Sequence, residues 1–145
     1  MLYLSSNNYP GGEALLNVNK AIKSEAYKWD LNNTSVYVCN LAAQSGFTRF
    51  LQLPEVYYNK DNKLVLHKFA AYKLIYLVLE PDEQQLYLGR CNFLSNQSTC
   101  QLSVSTTTQS KYECQLLRNI TAFDRIIDFK VNFRTVLNIY KCFKV

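Results

Sequence analysis

Phe129-Lys130-Val131-Asn132-Phe133-Arg134-Thr135-Val136-Leu137-Asn138-Ile139-Tyr140-Lys141-Cys142 is the stretch on which the fold class turns. Phe129, Val131 and Phe133 alternate with Lys130, Asn132 and Arg134, and a period of two gives a strand one apolar and one wet face. Leu137, Ile139, Tyr140 and Cys142 carry the apolar set onward, which predicts a long terminal strand. One strand cannot bury its own face, so partners are expected upstream.

Several segments qualify. Residues 35–39 read as a short strand with Val36 and Val38 on one face, and residues 86–93 as another. The apolar run over residues 64–79 fits a buried strand about as well as a helix by periodicity, and strand is the expectation. Asp61-Asn62 tolerates left-handed backbone, so residues 59–63 read as a hairpin turn between short strands. Pro81-Asp82-Glu83 reads as a turn, and residues 95–110, with Thr106-Thr107-Thr108, as an exposed loop or loose edge strand. A helix stands apart from these at the start. Tyr9-Pro10-Gly11-Gly12 is a turn cluster, after which Leu15, Val18 and Ile22 recur at helical spacing with Ala14 and Ala21. Asn17, Asn19, Lys20 and Lys23 fall on the expected wet side of a helix over residues 13–27. The expected fold is α+β: one N-terminal helix packed on a mostly antiparallel sheet, in one small domain spanning residues 1–145.

Composition agrees with a folded domain. Hydrophobic residues make up 48% and charged residues 19% of the 145 positions, far from the composition of disordered chains. With 11 Tyr and 8 Phe the chain is rich in rings that cover half-buried pleated surface. The net charge of +5 is spread along the chain without a run of adjacent Lys or Arg, too diffuse for a nucleic-acid partner. No apolar run approaches the roughly 18 residues that span a bilayer, since Lys73 interrupts the strongest one at residues 69–79. Leu2 to Leu4 lack the basic and apolar regions of a secretory signal.

Chemistry-bearing motifs are few. The five cysteines, Cys39, Cys91, Cys100, Cys114 and Cys142, include no C-x-x-C pair, and their spacing leaves open whether they are bridged or free. No metal site and no cofactor is expected. His67 is the sole histidine and lies in an apolar stretch, which favours a structural role over catalysis. Ser45 before Gly46 lacks the G-x-S-x-G pattern of a nucleophile elbow. Glu80, Asp82 and Glu83 flank Pro81, where an acidic solvated turn is favoured over a cation site. Asn32, Asn33, Asn96 and Asn119 each stand two residues before Ser or Thr and are candidate N-glycosylation sites.

Two blocks carry a resemblance. The first is Ser5-Ser6-Asn7-Asn8-Tyr9-Pro10-Gly11-Gly12 followed by Glu13-Ala14-Leu15. The second, about 25 residues further on, is Asn40-Leu41-Ala42-Ala43-Gln44-Ser45-Gly46-Phe47-Thr48-Arg49-Phe50-Leu51. Together they resemble the C-terminal lumenal region of the dolichyl-phosphate-mannose-dependent alpha-1,6-mannosyltransferases of N-glycan assembly (the asparagine-linked glycosylation protein 12 family, of the GT-C mannosyltransferases). The strong match lies between Ser5 and Leu53, with Tyr57-Tyr58-Asn59-Lys60 and the terminal strand fitting more loosely. The family pattern differs at Asn7, where His is frequent, and near Cys39, where an acidic residue is frequent.

The resemblance implies a multi-pass glycosyltransferase of the endoplasmic-reticulum membrane. Such an enzyme moves mannose from dolichyl-phosphate-mannose to lipid-linked oligosaccharide on the lumenal face. Its catalytic carboxylate lies in a first lumenal loop, which none of Asp30, Asp61, Asp124 or Asp128 matches, so no catalytic residue is carried over. The expectation is a fragment of such an enzyme, inactive alone, with membrane association through transmembrane helices absent from this sequence. The alternative is a non-catalytic lumenal module that binds glycan or supports a partner. Tyr9 to Gly12 reads either as a turn that starts a helix or as part of an acceptor-glycan site, with Tyr9 stacking on sugar and Arg49 hydrogen-bonding hydroxyls or phosphate.

Overall fold

The computed structural model describes residues 9–28, 30–46, 51–61, 64, 66–69, 71–83, 88, 99–103 and 111–144. Arg49, Asn96, Cys91 and, apart from Leu88, the strand expected over residues 86–93 lie outside the described residues.

Helix α1 spans Pro10–Ser24. Proline belongs in a first turn, where its missing N–H has no intrahelical partner, so the helix starts earlier than the expected Glu13. Glu13 in the first turn and Lys23 in the last oppose the helix dipole. Ala14, Leu15, Val18 and Ile22 are buried at helical spacing, as predicted, and Asn19 is buried with them. The expected end at Tyr27 is corrected: the next inward position is Glu25, and Tyr27 stands 79% exposed in the turn beyond, so no further apolar face rewards another helical turn.

Among the described residues six strands follow: β1 (Thr34–Val38), β2 (Tyr57–Asn59), β3 (Leu74–Leu79), β4 (Thr99–Ser103), β5 (Lys111–Ile127) and β6 (Lys130–Lys144). A short helix α2 (Asn40–Gln44) follows β1, and 3₁₀ turns occupy Leu31–Asn33 and Leu66–Phe69. The sheet order is β2-β1-β3-β6-β5-β4. β1 runs parallel to β2 and β3, and the β3–β6, β6–β5 and β5–β4 pairs are antiparallel. The fold is thus the expected α+β domain with a mostly antiparallel sheet. Its parallel pairs require crossovers, which α2 and the segment around Leu66–Phe69 provide.

The centre of the sheet is covered on both faces, and every residue of β1 and β3 is buried. On one face Tyr76 and its cross-strand partner Lys141 look toward α1, where Lys141 ion-pairs with Glu25. On the other, Tyr37 meets the Phe69 ring edge-on, with centroids 6.3 Å apart. Tyr112 fastens that cover to the sheet: its single hydroxyl proton is held between the carbonyls of Tyr72 (2.7 Å) and Phe69 (3.0 Å).

Three readings change here. The run over residues 64–79 is strand only in part: among its described residues Leu66–Phe69 is a 3₁₀ turn and Leu74–Leu79 joins the sheet. Lys73 is exposed, directly before the strand begins. In place of the first arm of a hairpin at residues 59–63, β2 pairs parallel with β1, while Asn62 and Lys63 lie outside the described residues. Asn59 Oδ1 accepts from the Asp61 N–H (2.9 Å) in a local Asx turn. Phe129 is not in the terminal strand. It stands fully exposed in the β5–β6 turn, where Asp128 and Phe129 have φ of 49° and 62°, the left-handed pair of a two-residue hairpin turn. β4, within the stretch read as a loop or edge strand, forms one edge of the sheet among the described strands, opposite β2.

Candidate functional site

The two sequence blocks that carry the resemblance meet in space. The Gly11 N–H donates to Ser45 Oγ (3.0 Å) and the Gly12 N–H to the Ser45 carbonyl (3.2 Å), while the Ser45 hydroxyl donates to the Leu41 carbonyl (2.7 Å). A Cβ on Gly11 would lie 2.0 Å from the Ala42 carbonyl oxygen, so only glycine lets α1 approach α2 this closely. Gly46 has a φ of +106° and lies against Gly12 and Tyr9. The Pro-Gly-Gly turn and the Ser-Gly turn therefore form one latch.

Tyr9 precedes the helix, its carbonyl accepting from the Glu13 N–H (3.2 Å). Its side chain is 64% exposed, so the ring is available to a ligand at the latch. The described chain stops at Gly46 and resumes at Leu51, so the joint site expected of Tyr9 and Arg49 has only its Tyr9 side on the page.

Below the latch, a buried polar link joins α1 to the segment before β2. Tyr58 donates to Asn19 Oδ1 (2.7 Å) and accepts from the Leu53 N–H (3.1 Å), while Asn19 Nδ2 donates to the Leu51 carbonyl (2.7 Å). Asn19 was expected on the wet side of the helix; this three-bond arrangement is what lets its amide stay buried. Burial raises the Tyr58 hydroxyl above the ordinary tyrosine range, and the Leu53 N–H pulls it partly back.

At the carboxyl ends of β1 and β3 the chain turns through α2 and through a helical turn at residues 81–83. A cleft of about 270 Å³ lies between these turns and β6. Leu41, Pro81 and Val136 supply its apolar lining, and Glu80, Asp82, Arg134 and Thr135 its polar lining. Burial, with the neighbouring Glu80 charge second, raises the Glu83 carboxyl. Its Oε2 is buried without a hydrogen-bond partner among the described residues. Among those residues no group of three or more His, Cys, Asp or Glu side chains could hold a metal ion. His67 lies in the Leu66–Phe69 turn.

Cys114 and Cys142, directly opposite each other on β5 and β6, form a disulfide. Cys39 is a buried free thiol, pushed up to about 12 chiefly by burial, and so is a poor nucleophile. Of the candidate glycosylation sites, Asn32 is exposed in the Leu31–Asn33 turn and Asn119 is exposed on β5. Asn33 is half-buried, and its carbonyl accepts from the Lys73 N–H (3.1 Å). Three features escaped the sequence reading: strand β5, the Asn19–Tyr58 link and the cleft, the last two assembled from residues far apart in the chain.

Comparison with known proteins gives one partial likeness of note. Over 86 residues, 59% of this chain, it is 34% identical to the Drosophila melanogaster protein named Dol-P-Man:Man(7)GlcNAc(2)-PP-Dol alpha-1,6-mannosyltransferase. The likeness is to a mannosyltransferase. It spans 12% of the fly protein's length, and so supports the family without marking out a region of it. No family model and no solved structure matches the chain. Among the described residues no helix is long and apolar enough to cross a membrane.

Proposed function

We propose that this chain is the lumenal part of an endoplasmic-reticulum mannosyltransferase of N-glycan assembly, one that transfers mannose from dolichyl-phosphate-mannose to lipid-linked oligosaccharide. On this reading the chain is a non-catalytic domain whose chemistry belongs to a membrane portion. The observation that carries the reading is the likeness to the fly mannosyltransferase, taken with the meeting of the two family-like blocks in a single latch. The Cys114–Cys142 disulfide is in keeping with an oxidising lumen, and exposed Asn32 and Asn119 are acceptable glycan acceptors there. Tyr9 then stacks on acceptor sugar and Arg49 contacts hydroxyls or phosphate beside it, while dolichyl-phosphate-mannose is held by the membrane portion.

The transcript upstream of Met1 tests this. It should encode several apolar spans of about 18 residues or more and an acidic lumenal loop in the same frame. A stop codon directly upstream, with no such spans, would sink the proposal. The exposed Tyr9 ring at the latch would then favour the second reading, a free-standing lumenal module that binds glycan or supports a partner.

A further inference from the structure

The cleft at the carboxyl ends of β1 and β3 is built by three stretches remote in sequence, Leu41, residues 80–82 and residues 134–136. Crevices at the ends of parallel strands are where turns diverge and leave room for a ligand. Its chemistry narrows what fits. Glu80 and Asp82 repel an anion, and Arg134 offsets their attraction for a cation. A neutral group with both donors and acceptors satisfies all three: its hydroxyls donate to the carboxylates and accept from the guanidinium, and Thr135 does either. Leu41, Pro81 and Val136 offer an apolar wall to the C–H face of a ring. At about 270 Å³ the space falls just under the roughly 300–1,000 Å³ of sites for drug-sized ligands, which suits one sugar ring and not a long chain.

We infer that this cleft is a subsite for a single neutral hexose unit of a glycan, held by Glu80, Asp82 and Arg134. The inference deepens the proposed function, on which its choice of a mannose-containing glycan rests.

The test is a titration of the isotope-labelled 145-residue chain with methyl α-mannoside and with an α-linked mannobiose, read by amide chemical shifts. Saturable shifts at Leu41, Asp82 and Val136, with a dissociation constant of about 1–10 mM, are expected. The pair Glu80→Gln and Asp82→Asn, and separately Arg134→Ala, should each weaken binding at least about tenfold while the thermal melt confirms a folded chain. Four outcomes would overturn the inference: no shifts with either sugar, shifts confined to residues near Tyr9, shifts unchanged in the folded variants, or calcium displacing these amides where sugar does not. None of them touches the mannosyltransferase reading, which the upstream reading frame decides separately.

Discussion

The latch between the Pro10 and Ser45 turns and the β5–β6 hairpin hold their shapes by opposite means. In the latch, α1 and α2 are pressed together until backbone meets backbone, and glycine is demanded by the neighbour's carbonyl. In the hairpin, residues 116–127 and 130–137 pair only with each other among the described strands. α1 covers part of that ribbon, where Arg118 donates to Asn17 (2.9 Å) and Ile120 and Leu137 are buried. Beyond them it runs to an exposed Phe129. A two-stranded ribbon is marginal alone in water, so the hairpin depends on its disulfide and on α1, while the latch depends on the absence of side chains.

That contrast can be broken most violently at Gly11. Gly11→Ala gains about 1 kcal/mol of helix propensity but drives a methyl into the Ala42 carbonyl, 2.0 Å away. The clash wins, and urea unfolding should show a loss of about 4 kcal/mol. Gly12→Ala, whose nearest contact would be 3.4 Å, should be close to neutral.

The hairpin should answer next. Replacing Cys114 and Cys142 together by Ala opens a loop of 28 residues, and the chain-entropy cost of that loop predicts a loss of roughly 3 kcal/mol in thermal or urea unfolding. Between the two regions lies the Asn19–Tyr58 link. Tyr58→Phe strands a buried amide oxygen and should cost about 1–2 kcal/mol.

How much of this was legible in the sequence follows from the same contrast. Leu15, Val18 and Ile22 announce α1 because a helix buries residues at a fixed local spacing, and the Pro10 turn marks where it begins. The terminal strand was legible from its alternation over residues 130–134. Strand β5 was not, because its register slips at three places along β6, between Leu116 and Arg118, Ile120 and Thr121, and Phe123 and Arg125. Two of these slips, at Leu117 and Asp124, put an extra residue into β5, which resets which side chains face inward and breaks the period of two. The parallel pairing of β1 was hidden as well, since both its faces are covered and a buried strand shows no wet face. Tyr9 and the two turns were legible as a motif, but their contact was not, and Leu41, Asp82 and Arg134 carry no shared local signal.

Smaller changes sharpen the comparison further. Phe129→Gly removes a bulky side chain from left-handed backbone and should stabilise the hairpin by about 1 kcal/mol, read as a rise in melting temperature. Glu83 gives the smallest effect and a distinctive pH dependence. Its carboxyl is raised by burial and by Glu80, so the folded chain binds that proton more tightly than the unfolded one. Stability from this group is present below the unfolded value and is lost as pH rises through the folded one. Glu83→Gln should therefore raise stability slightly at pH 7, by less than about 1 kcal/mol after allowance for solvent screening, and change little near pH 3.

The central proposal is that this chain is a non-catalytic part of a mannosyltransferase and is inactive alone. Incubating the purified 145-residue chain with dolichyl-phosphate-mannose and lipid-linked oligosaccharide, and counting mannose incorporated, tests it directly. Incorporation no greater than in a no-protein control is the predicted result, and turnover well above that control would contradict it.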